Sequence, residues 1–62
     1  MNIFRAILTD NGETFLVDAH HENKKVSHLF VHPIENGIVQ PMCQLANVTI
    51  LVDTIEKALT EI

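Results

Sequence analysis

The run Ile3-Phe4-Arg5-Ala6-Ile7-Leu8-Thr9-Asp10-Asn11-Gly12-Glu13-Thr14-Phe15-Leu16-Val17-Asp18 sets two arms rich in β-branched and aromatic residues around a short polar centre. Asn-Gly is the preferred pair for a type I′ turn, because both loop residues need positive φ. With Asn11 and Gly12 as the loop, the pairing follows. Leu8 lies opposite Phe15, Ala6 opposite Val17 and Phe4 opposite Ala19 on one face. On the other face Ile7 meets Leu16 and Arg5 meets Asp18. Apolar meets apolar and cation meets carboxylate, which selects this register over its neighbours. The result is a β-hairpin over residues 2–18. Both faces carry apolar side chains, so both are expected to be covered, one by the chain's own core and the other by a second subunit.

At the other end of the chain, Val48 to Val52 alternates and reads as a strand, with Leu51 and Thr49 on one side. Asp53 then has the place of a helix N-cap, with Glu56 three residues on as the partner of a capping box. Ile55, Ala58, Leu59 and Ile62 fall on one stripe of a helix over 54–61. Such a helix is too short to be stable alone and must dock.

The middle admits two readings. His20 to Lys25 is polar and reads as a loop or a helix start. Val26, Leu29 and Phe30 fit a helical face, yet Val26, His28, Phe30 and His32 alternate with Ser27, Leu29 and Val31 as a strand would. Pro33 disfavours helix at His32, so a strand over 27–33 is expected, with a helix over 20–31 as the alternative. Asn36-Gly37 marks a second hairpin, and Pro33 and Pro41 confine its arms to sheet edges. Residues 40–47 form a connection in which Met42 and Leu45 fill gaps. The expected fold is therefore α+β: a single domain over 1–62, with a small antiparallel sheet of four to five strands and one C-terminal helix.

Composition narrows the function classes. The chain has 62 residues, 47% of them hydrophobic, and a net charge of −4. A domain this small buries only about 60% of its unfolded surface and usually needs a disulfide, a metal or a partner. Cys43 is the single cysteine, so no internal disulfide can form, and a reducing compartment is expected. No apolar run of signal-peptide or membrane-span length is present, which gives a cytoplasmic reading. Arg5, Lys24, Lys25 and Lys57 are the only basic side chains, a poor footprint for a nucleic-acid binder.

Four histidines, His20, His21, His28 and His32, invite a metal reading. His28 and His32 share one helix face at i, i+4, but on a strand they stand about 13 Å apart and cannot share an ion. A Cys43 nucleophile would need a neighbouring base and a third group to orient it, and the sequence shows neither. Gly12 and Gly37 are turn residues and make no phosphate loop. Lys24-Lys25 reads as a solvated loop tip.

These readings favour a protein without enzymatic activity and without a cofactor. It would be a small regulator or inhibitor that binds another protein, in the size class of phage-encoded inhibitors, and forms a homo-oligomer. The expected interface is the hairpin's second face, Ile3, Ile7 and Leu16, joined by Leu51 if the last strand enters the same sheet. The rivals are a dimeric, β-rich nucleic-acid-binding regulator and a histidine-based metal module.

Overall fold

The computed structural model describes residues 2–44 and 48–61. Strands β1 (Asn2–Asp10), β2 (Glu13–Glu22), β3 (Lys25–Glu35) and β4 (Ile38–Val39) are followed by helix α1 (Val48–Thr60). The strands lie in the sheet in chain order and all pair antiparallel. Each turns onto the next through two residues, so the architecture is a β-meander with one helix, an α+β arrangement.

The first hairpin has the register that the Asn-Gly turn dictates. Leu8 opposes Phe15, Ala6 Val17, Phe4 Ala19, Ile7 Leu16 and Arg5 Asp18. Asn11 and Gly12 sit at φ 52 and 78, and Asn36 and Gly37 repeat this at 53 and 76. The β2–β3 turn uses the same backbone with Asn23 at φ 51 and Lys24 at φ 64. β2 therefore runs on through His20 and His21 to Glu22, where a loop or helix start was expected.

The helix alternative for 20–31 is excluded, since Lys25–Glu35 is one strand. Its 3.6-like spacing has a specific cause. The β2–β3 register steps between His20 and His21, with His20 opposite His28 and His21 opposite Val26. Ser27 is the extra residue of this bulge, and its hydroxyl donates to the His20 carbonyl at 3.1 Å. A bulge shifts side-chain alternation by one. Val26 thereby points to the same face as Leu29, while His28 and Phe30 alternate regularly on the other face.

The second correction concerns Val48–Val52, which forms the first turns of α1 rather than a fifth strand. Leu51 continues the apolar stripe of Ile55 and Leu59 by one more i, i+4 step, and docking overrides the modest helix propensity of the β-branched run. Thr49 and Ile50 face outward, with Ile50 65% exposed. Asp53 is consequently an exposed residue of the helix interior and caps nothing. Glu56 instead accepts the Val26 N–H at 2.9 Å and lies 3.8 Å from Lys25 Nζ, tying the helix to the start of β3.

The core is the layer between helix and sheet: Phe15, Val17, Ala19 and Val31 against Ile55 and Leu59. Phe4, Leu8, Val26, Leu29, Cys43 and Leu51 pack around it, partly buried. The helix lies nearest β3, so Phe4 and Leu8 of β1 are left at the margin. Met42 does not fill a gap, being 55% exposed. Leu45, expected to do the same, and Ile62, expected on the helix stripe, lie outside the described residues.

Candidate functional site: the open face of the sheet

Because side chains alternate along each strand, the face opposite α1 is fixed by the same registers that build the core. It consists of cross-strand rows: Ile3, His20 and His28; then Arg5, Asp18 and Phe30; then Ile7, Leu16 and His32. Thr14, Ile34 and Val39 continue it toward β4. Ile3 is 58% exposed and Ile7 61%, while Leu16 and Phe30 are half-buried among their neighbours. No other element of the described chain crosses this side. Of the four expected interface residues, Ile3, Ile7 and Leu16 are here. Leu51 is not, because it sits on the helix and packs against the core from the opposite side.

The polar groups of this face are held in place. Arg5 donates to both carboxylate oxygens of Asp18, through Nε at 2.6 Å and Nη2 at 2.9 Å, a two-pronged pair with fixed geometry. These hydrogen bonds keep the Asp18 carboxyl below its ordinary pKa against the opposing effect of burial, with smaller electrostatic contributions from Arg5, His32 and His20. They likewise raise the Arg5 guanidinium. His32 Nδ1 donates to the Gln40 carbonyl at 3.1 Å, which orients the ring.

His20, His28 and Phe30 form a ring cluster that sequence reasoning missed. The Phe30 ring meets His20 edge-on at 5.1 Å and lies parallel to His28 at 6.5 Å, and the two imidazoles are 6.4 Å apart. The missing signal was the Asn23-Lys24 turn together with the Ser27 bulge; once both are placed, His20 and His28 must face each other.

Among the described residues, Cys43 and the histidines of the open face lie on opposite sides of the sheet. No group of three or more His, Cys, Asp or Glu side chains converges to hold an ion. Cys43 lies on the covered side, paired across from Val31 and packed against the core, whereas His20, His28 and His32 point the other way. His21 does face the covered side, with a buried Nδ1. It pairs with Val26, however, five residues along β3 from the partner of Cys43, or about 15 Å at strand spacing. A groove of about 660 Å³ opens between the first and third turns, bordered by Glu13, Phe15, Glu35 and Cys43. No described helix is long and apolar enough to cross a membrane.

No protein-family model, no curated protein and no solved structure matches the chain.

Proposed function

We propose that this protein is a non-enzymatic regulator or inhibitor that acts by binding another protein, and that the open face of the sheet is its binding surface. The observation that carries this reading is the composition of that face. Exposed Ile3 and Ile7 flank half-buried Leu16 and Phe30 around a rigid Arg5–Asp18 pair. Apolar patches with aromatic and arginine anchors are the pattern of protein-binding surfaces. A partner would cover apolar area without having to order the polar groups, because they are already fixed.

A nucleic-acid partner is less well supported. Arg5 is neutralised by Asp18, and Lys25 leans toward Glu56, so the few cations do not form a patch.

The test compares capture from native cell extract by the wild-type protein, by Phe30→Lys, and by Asp53→Lys on the outer surface of α1. Circular dichroism establishes that each is folded. The account expects a target held by wild type and Asp53→Lys but lost by Phe30→Lys, with little dependence on salt. Equal capture by all three removes the open face from the account. Binding that collapses steeply with salt and nuclease treatment replaces the protein target with nucleic acid.

A further inference from the structure

The open face cannot serve a target and a second copy of the chain at once, yet a domain of this size without a disulfide gains from self-association. A different surface is available. The outer side of β1 is a sheet edge of nine residues, Asn2–Asp10, with no strand on it among the described residues. It lacks the usual defences of an edge. It contains no proline and no lysine, and its register with β2 is unbroken from Asn2 to Asp10, with no bulge to twist it away. The opposite side of the sheet is the better protected one. Pro33 lies there, β4 covers part of β3, and Cys43 N–H reaches the Val31 carbonyl.

We propose that the β1 edge is the self-association surface, with two copies pairing β1 to β1 antiparallel about a two-fold axis at Ala6. The partner is a second copy of this chain. Together they form one eight-stranded sheet, four strands from each copy.

Backbone direction supports this. In a two-residue hairpin the residues flanking the loop form a hydrogen-bonded pair, and the pairs then alternate. The β3–β4 hairpin has this phase, since Gln40 N–H donates to the Pro33 carbonyl two positions beyond the flanking pair Glu35 and Ile38. Applied to Asp10 and Glu13, the same phase turns the N–H and C=O groups of Asn2, Phe4, Ala6, Leu8 and Asp10 toward β2. Those of Ile3, Arg5, Ile7 and Thr9 point outward, unused by the sheet.

Side chains select the register. A two-fold axis perpendicular to the sheet keeps each face on its own side only if odd residues meet odd and even meet even. Centring on Ala6 is the register that pairs all nine residues. It sets Phe4 against Leu8 and Ala6 against Ala6 on the helix side, and Arg5 against Ile7 and Ile3 against Thr9 on the open side. Asp10 then meets Asn2. Like charges meet nowhere. Centring on Arg5 would oppose the two arginines, and centring on Ile7 would set Asp10 against Phe4. Phe4 and Leu8, left partly exposed by a helix that lies nearer β3, gain a neighbour, and the two open faces join into one continuous surface. The proposal does not depend on what that surface binds.

The register gives a symmetric cross-link. Ala6 and its copy form a non-hydrogen-bonded pair with Cα atoms about 4.5 Å apart, within reach of a disulfide. Ala6→Cys in a Cys43→Ala background should form a covalent dimer under mild oxidation, whereas Ile7→Cys, offset from its own copy, should not. Sedimentation equilibrium should give twice the 7.0 kDa chain mass for wild type. It should give the same for Leu16→Lys, and the single chain mass for Ile7→Pro, which removes only an outward N–H. A monomeric wild type overturns the proposal. So does a dimer that Leu16→Lys dissociates and Ala6→Cys fails to cross-link, because the copies would then meet face to face. Should Ile7→Pro fail to fold, the cysteine pair decides alone.

Discussion

Lys24 is the residue whose backbone least suits its side chain. It holds φ 64 in a turn whose two counterparts put glycine at that position. A left-handed conformation costs an L-residue about 1–2 kcal/mol, and glycine avoids that. Lys24→Gly should therefore raise stability by about 0.5–1 kcal/mol, read as a higher urea midpoint; an unchanged or lower midpoint would mean that Lys24 makes compensating contacts. Gly12→Val is the reverse experiment. A Cβ on Gly12 would meet nothing within 4 Å, so its cost is conformational alone, and a loss of at least about 1 kcal/mol is expected. Asp18 carries the clearest pH dependence. Its hydrogen bonds from Arg5 lower its folded pKa, so their contribution is present above the ordinary carboxylate range near 4. It is lost as pH falls through the lower folded value. Asp18→Asn should be less stable than wild type at pH 7, and the two should converge on acidification below about pH 4. A gap that stays constant from pH 7 to pH 3 would assign the difference to packing.

At the scale of elements, legibility followed the strength of the local signal. The Asn11-Gly12 turn fixed a whole register, because one two-residue loop determines every pair behind it. The Asn36-Gly37 turn marked the second hairpin without fixing its register. Asn23-Lys24 carries no such signature, so the end of β2 was hidden, and the Ser27 bulge gave β3 the look of a helix. Val48 to Val52 misled for a different reason. β-Branched residues alternate in polarity there as in a strand, but the stripe that docks is Leu51, Ile55 and Leu59, and tertiary contact decides. The open face was legible as Ile3, Ile7 and Leu16, and His28, Phe30 and His32 already shared one face of the expected strand; the Asn23-Lys24 turn that sets that strand beside β2 was not legible. This reassignment moves the helix's anchor from Asp53 to Glu56. Glu56→Ala removes the acceptor of the Val26 N–H at the helix–sheet junction and should cost about 1–2 kcal/mol, as bonds to charged acceptors do. Asp53→Ala should stay within about 0.5 kcal/mol of wild type. Chemical denaturation of both variants checks this, and the opposite ranking would restore Asp53 as the cap.

The whole molecule divides its surfaces. One face of the sheet is closed by α1 and supplies the core, the other presents an apolar patch with fixed polar groups, and the β1 edge offers unused backbone groups. With target recognition proposed for the open face and self-association proposed for the edge, neither role obstructs the other. Amide hydrogen exchange resolved residue by residue along β1 tests this division most directly. In an isolated chain, protection should alternate, with Phe4, Ala6 and Leu8 slow and Ile3, Arg5, Ile7 and Thr9 fast, because only the former bond to β2. In the edge-paired dimer, the second set becomes as slow as the first at concentrations where the mass is dimeric, and returns to fast exchange on dilution. Fast exchange at Ile3, Arg5, Ile7 and Thr9 in a protein of dimeric mass would contradict the account.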